Sequence, residues 1–138
     1  MIHLINPLTM QNYSNLLVWQ KSHQLTLDIY EVTRSFPKNE QFGITSQMRR
    51  ASSSVPTNLA EGSGKLTQHD FRNFVLISFG SSNELEYLLL LSFDLHYLDE
   101  YEFARLDEQI KEVKRMLSGL INSITRKIIL PFYSYLAL

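Results

Sequence analysis

Residues 67–95 read TQHDFRNFVLISFGSSNELEYLLLLSFDL, and this stretch decides the fold. Phe71, Phe74, Val75, Ile77, Ser78, Ser81, Leu85, Leu88, Leu89 and Leu91 cover a broad face of one helix. Leu76, Phe79, Leu90 and Phe93 are also apolar and fall elsewhere on the wheel. A helix apolar on so many sides lies at the centre of its bundle or is covered by another subunit. Thr67 and Asp70 have the spacing of a capping box. The predicted helix runs from Thr67 to Asp94 or Leu95, about 40 Å at about 1.5 Å per residue. The small side chains of Ser78, Gly80, Ser81 and Ser82 allow a neighbour to approach closely at mid-length.

The flanking segments follow the same period. Val18, Ser22, Leu25, Ile29, Val32 and Phe36 form a stripe, which predicts a first helix over about 15–35 with Ser14 or Asn15 as its cap. Trp19, Leu27 and Tyr30 widen that stripe, and Pro37 ends the helix. Ile44, Met48, Ala51, Val55 and Leu59 predict a second helix over about 44–61, ended by left-handed glycines at Gly62 and Gly64. Pro56 falls inside it and leaves two readings, a kink or a break, with Ser52, Ser53 and Ser54 hydroxyls available to the freed carbonyls. Phe103, Leu106, Ile110, Val113, Leu117, Leu120 and Ile124 predict a fourth helix with a coiled-coil-like seam. Asp99 and Glu102 form its cap pair and Pro131 is expected to end it. Short connections make consecutive helices antiparallel neighbours. The expected fold is therefore all-α, an antiparallel up-down-up-down four-helix bundle over 15–127. Residues 1–14 form an N-terminal tail and 128–138 an apolar C-terminal tail.

Composition narrows the function classes. The 138 residues are 44% apolar and 20% charged, which excludes wholesale disorder. The absence of cysteine excludes disulfides, thiolate metal sites and a cysteine nucleophile. His3, His23, His69 and His96 show neither an HExxH pattern nor a Glu three residues before any of them, so no metal and no cofactor is expected. Gly62-Ser63-Gly64-Lys65 lacks the upstream glycine and the following Ser or Thr of a phosphate-binding loop. No catalytic motif stands out, and the expectation is a protein that is not an enzyme and has no small-molecule substrate. No signal segment is read in 1–14, and no stretch is read as long enough to cross a membrane, so a cytoplasmic protein without membrane contact is expected.

Charge is uneven although the net is only −1. Residues 73–110 carry eight acidic side chains and one basic; residues 34–72 carry six basic and three acidic; residues 111–127 carry five basic and one acidic. Arg49, Arg50, Lys65 and Arg72 are candidates for phosphate contact, because guanidinium forks match phosphate oxygens. The competing reading pairs Arg49 or Arg50 with Glu61, Glu84 or Glu86, with one such pair across the second and third helices. The uncharged stretch IILPFYSYLAL, 128–138, has two main readings, that it folds back on its own bundle or docks on an adjacent subunit, with membrane contact a distant third.

Several motifs occur together and in order: Val18-Trp19-Gln20-Lys21, Ser35-Phe36-Pro37-Lys38, the run from Gly43 to Ala51, Val55-Pro56-Thr57-Asn58-Leu59-Ala60-Glu61-Gly62, and Gly80-Ser81-Ser82-Asn83-Glu84-Leu85-Glu86. In this arrangement the chain resembles, over about 16–125, the four helix bundle protein family, also called the bacterial 23S rRNA intervening-sequence protein family and sometimes labelled ribosomal. The resemblance implies a small antiparallel bundle that assembles as a homo-oligomer, a pentamer in the family pattern. Related accessory proteins of diversity-generating retroelements bind a reverse transcriptase and nucleic acid and are strongly basic; this chain departs from that charge. The expected function is a non-catalytic homo-oligomeric module, with RNA or DNA binding as one reading and a protein-interaction scaffold as the other.

Overall fold

The structure, a computed structural model, describes residues 12–136, with the side chains of 133–135 left aside. Four helices carry it: α1 (Leu17–Thr33), α2 (Ile44–Ser63), α3 (Gln68–Asp94) and α4 (Glu100–Leu136). Short 3-10 turns, Tyr13–Asn15 and Lys38–Glu40, precede α1 and α2. No strand occurs among the described residues. The helices pack in a cycle, α1 on α2, α2 on α3, α3 on α4 and α4 back on α1. Their inward stripes fill one core of twenty buried hydrophobics, in which Ile29, Met48, Leu59, Val75, Leu85, Leu89, Leu106, Ile110 and Leu117 have no accessible surface. Each is worth roughly 1.5–3 kcal/mol relative to exposure.

The stripes lie where the periodicity predicts. Val18, Ser22, Leu25, Ile29 and Phe36 are buried from the first segment, and Ile44, Met48, Ala51, Val55 and Leu59 from the second. Five seam residues of α4 are buried, while Phe103 and Leu120 pack at the margin. Thr67 accepts a hydrogen bond from the Asp70 amide at 3.1 Å, and Asp99 accepts one from the Glu102 amide at 2.7 Å, so both predicted caps form.

The ends and interruptions differ from expectation. Ser14 and Asn15 do not cap α1, because they belong to the 3-10 turn whose cap is Asn12; Leu16 precedes α1 without a side-chain bond. Neither Gly62 nor Gly64 is left-handed. Gly62 is instead buried where α2 meets α3, and a Cβ there would lie 2.7 Å from the Phe74 Cβ. The left-handed residue is His96, at φ 64°, just past α3. Helix α2 runs unbroken through Pro56, and the carbonyl that proline frees, that of Ser52, receives the Thr26 hydroxyl of α1 at 2.9 Å. Close approach of α2 and α3 uses Ser78, whose hydroxyl donates to the Val55 carbonyl at 2.9 Å, and Ser81, 2.8 Å from the Ser54 hydroxyl. Gly80 plays no part, with nothing within 4 Å of a Cβ at that position.

Pro131 does not end α4. Lys127, whose carbonyl loses its amide partner, is exposed, a position open to solvent. The helix carries Ile129, Leu130, Phe132 and Leu136 outward, so these four do not fold back onto the bundle, whereas Ile128 packs at the margin of the core and 137–138 lie outside the described residues. By length and composition α3 is also apolar enough to cross a membrane, contrary to the expectation from sequence; one face of it, with Phe71, Val75, Leu85 and Leu89, is committed to the bundle core.

Candidate functional site

Thr33, near the end of α1, and Arg49, one turn into α2, set the geometry of the cationic side chains. The Arg49 guanidinium donates from Nε to the Thr33 hydroxyl at 2.9 Å and from Nη2 to the Tyr30 carbonyl at 3.4 Å. Its carbon lies 4.7 Å from the Tyr30 ring centroid, a cation–π contact. Arg49 is therefore held rigidly at the seam of α1 and α2. Arg50, the next residue, is exposed.

The four phosphate candidates do not gather in one place. Arg72 donates from Nε to the Thr125 hydroxyl at 2.9 Å, across α3 and α4. Lys65 lies 5.1 Å over the Phe74 ring, near the α2–α3 turn. Arg50 is 15 residues before Lys65, roughly 22 Å along a helix. Lys65 and Arg72 thus sit near one end, with Arg126 and Lys127 following Thr125, whereas Arg49 and Arg50 lie toward the other.

The expected ion pair between α2 and α3 is not formed among the described residues. Arg50 and Glu84 line one groove of about 330 Å³, with Gln47, Ser54 and Ser81 between them, but they do not pair. Glu61 is exposed. Glu86 pairs with Lys114 of α4 instead, because its position on α3 faces that helix. The ionic ties of the bundle centre on α4: Asp28 accepts from Arg105 at 3.1 Å and from Gln109 at 3.0 Å, and Lys21 meets Glu112 at 3.3 Å. The Glu102 hydrogen bond, with the charges of Glu102 and Asp28, raises the Arg105 pKa. Asp107 does the same for Lys111.

Sequence reasoning missed the surroundings of Arg49 and Arg50. Two adjoining grooves, about 280 and 300 Å³, meet there and share Gln41, Thr45 and Arg49. Phe42, 92% exposed, stands on one rim and Lys38 on the other. Thr45 is 6% exposed, and its hydroxyl oxygen has no hydrogen-bond partner. Nearby carboxylates are engaged: Glu40 accepts from the Ile44 amide at 3.1 Å, and Glu31 pairs with Arg34 at 2.8 Å. The available signal was the aromatic Phe42 between Lys38 and Arg49-Arg50; the fold of the connecting loop supplies the rest. Among the described residues no three His, Asp or Glu side chains could hold a metal ion together.

Comparison with known proteins gives two results and one blank. The family described as 23S rRNA-intervening sequence protein matches residues 14–119. A crystal structure of a protein with unknown function, from the S23 ribosomal protein family of Bacteroides thetaiotaomicron, is similar with a TM-score of 0.72 and 22% identity. That alignment covers 77% of this chain and 96% of that one, and at this identity it speaks for the fold alone. No match is found among curated proteins.

Proposed function

The chain belongs to the 23S rRNA-intervening sequence protein family, and from that premise we propose that it is a non-catalytic, self-assembling helical module that serves as a scaffold. Its fold is an antiparallel up-down-up-down bundle. The cross-helix pairs support that topology, since numbering rises on one helix as it falls on the next: Thr33 with Arg49 and Thr26 with Ser52, Ser54 with Ser81 and Met48 with Ser92, Glu86 with Lys114 and Arg72 with Thr125, Asp28 with Arg105 and Lys21 with Glu112.

The observation that carries the scaffold reading is the outer face of α3. Leu76, Gly80, Asn83, Tyr87 and Leu90 follow one another at four, three, four and three residues, and all are exposed. Ile77 adds to this stripe. Seven-residue spacing of this kind suits a second helix. The exposed apolar end of α4 supplies further surface of the same character. Five subunits are proposed on the family pattern. Tyr97, Arg105 and Lys111, whose pKa values are raised, act here as struts bonded to carboxylates.

The test is the mass of the full chain by sedimentation equilibrium, before and after Leu90→Glu. A discrete oligomer that Leu90→Glu dissociates is the expected result. A wild-type chain that remains monomeric at high protein concentration overturns the reading. The groove beside Arg49 and Arg50 favours a second reading, in which the scaffold also binds nucleic acid.

A further inference from the structure

We infer that the rim of the α2 N-terminus, formed by Phe42, Lys38, Arg49 and Arg50, binds a single-stranded segment of nucleic acid, with a base stacked on Phe42 and phosphates between the cations. The inference rests on the nucleic-acid reading above and narrows it to one site and one strand state.

Phe42 carries the first part of the argument. A phenylalanine 92% exposed loses the stabilisation that burial of its ring would give. Its ring packs in none of the bundle's aromatic pairs among the described residues. A base in a duplex has both faces stacked on its neighbours, whereas a base in a single strand has a face free for an aromatic ring. The protruding ring therefore fits unpaired bases.

The cations carry the second part. Arg50 and Lys38 are exposed, Arg50 lining the groove that holds Phe42 and Lys38 the adjoining one, and Arg49 is fixed where the two meet. Arg49 lines both adjoining grooves, so a strand crossing from one to the other passes it. The first turn of α2 adds the positive end of its dipole. The neighbouring carboxylates are held elsewhere, Glu40 by the Ile44 amide and the Tyr97 hydroxyl, Glu31 by Arg34.

The experiment is fluorescence anisotropy of the full chain with a labelled pyrimidine single strand, as RNA and as DNA, and with a duplex of equal length, at about 50 and 200 mM salt. Single strands are expected to bind more tightly than the duplex. Phe42→Ala is expected to weaken binding roughly 5- to 150-fold, the range of one lost stack, with the melting temperature unchanged because the ring is exposed. Arg50→Gln should lower the slope of log affinity against log salt by about 0.7, one phosphate of a single strand. Binding to neither form overturns this site and the nucleic-acid reading together. Equal affinity for the duplex, with Phe42→Ala neutral, overturns the site and leaves the broader reading standing. A Phe42→Ala chain that binds normally but changes its oligomeric mass assigns the ring to a subunit contact and overturns the site.

Discussion

The hydroxyl oxygen of Thr26 lies 2.9 Å from the carbonyl oxygen of Ser52, the carbonyl whose helical donor Pro56 removes. The same hydroxyl lies 2.9 Å from its own Ser22 carbonyl, so one proton serves two acceptors across α1 and α2. Both residues are buried, and water cannot replace the bond. Thr26→Val keeps the shape and removes the proton. We expect it to cost about 1–3 kcal/mol, the penalty of a buried carbonyl left unsatisfied. In a Pro56→Ala background the amide of residue 56 returns and donates to Ser52, so Thr26→Val should cost less there. Denaturant unfolding of the four proteins, at one protein concentration, measures the coupling. Strictly additive losses would show that Thr26 does not serve the proline.

That bond marks the limit of what the sequence discloses. The stripes Val18–Ser22–Leu25–Ile29 and Leu106–Ile110–Val113–Leu117 are local patterns, and burial follows them directly. Proline depends on who stands opposite. Pro56 is tolerated because Thr26, far away in the chain, reaches its freed carbonyl, and Pro131 because the carbonyl it frees belongs to an exposed residue. Gly62 looked like a terminator, but its lack of a side chain makes room for Phe71 and Phe74. Arg49 and Arg50 were legible as cations, and adjacent cations look alike in a sequence. Only the fold distinguishes Arg49, bonded to Thr33, from Arg50, which faces water. The Phe42 rim was illegible because α1, the connecting loop and α2 each contribute to it.

Two glycines should respond in opposite directions. Gly62→Ala places a Cβ 2.7 Å from the Phe74 Cβ and 3.0 Å from the Phe71 ring, and neither can swing away as a flexible side-chain tip would. Helix propensity favours alanine by about 1 kcal/mol, while overpacking costs about 1–3 kcal/mol. A net loss is expected. Gly119, inside α4 with nothing within 4 Å of its position, should gain about 0.5–1 kcal/mol as alanine. Thermal melts of the two variants decide it, and a stabilised Gly62→Ala would mean that α2 and α3 separate at little cost.

His96 holds φ at 64° where α3 turns toward α4, and the Tyr97 amide closes that turn on the Ser92 carbonyl at 2.9 Å. Histidine tolerates this region better than branched residues, but its Cβ still opposes it. His96→Gly removes that opposition in the folded state, although glycine adds freedom to the unfolded chain. We expect a net gain of up to about 1 kcal/mol. His96→Val should lose more than that. If both variants melt with the wild type, the turn is not held in this conformation in solution.

Tyr97 should govern the alkaline limit of stability. Its ring packs 5.5 Å from that of Phe36, and its hydroxyl donates to the Glu40 carboxylate at 3.4 Å. Desolvation raises its pKa above the ordinary 10.0, and the Glu40 charge and hydrogen bond push the same way. The folded state therefore prefers the neutral phenol. Its contribution is fully present below the unfolded value of about 10 and is lost as pH rises through the higher folded value. Lys111, held protonated by Asp107, and Arg105, held by Glu102, act in the same direction. The melting temperature should thus fall above about pH 10, and Tyr97→Phe should make that fall shallower, since it removes the proton that must be released. Melts of both proteins from neutral to strongly alkaline pH separate this from a general loss. Curves that run parallel through the alkaline range would show that Tyr97 does not titrate there.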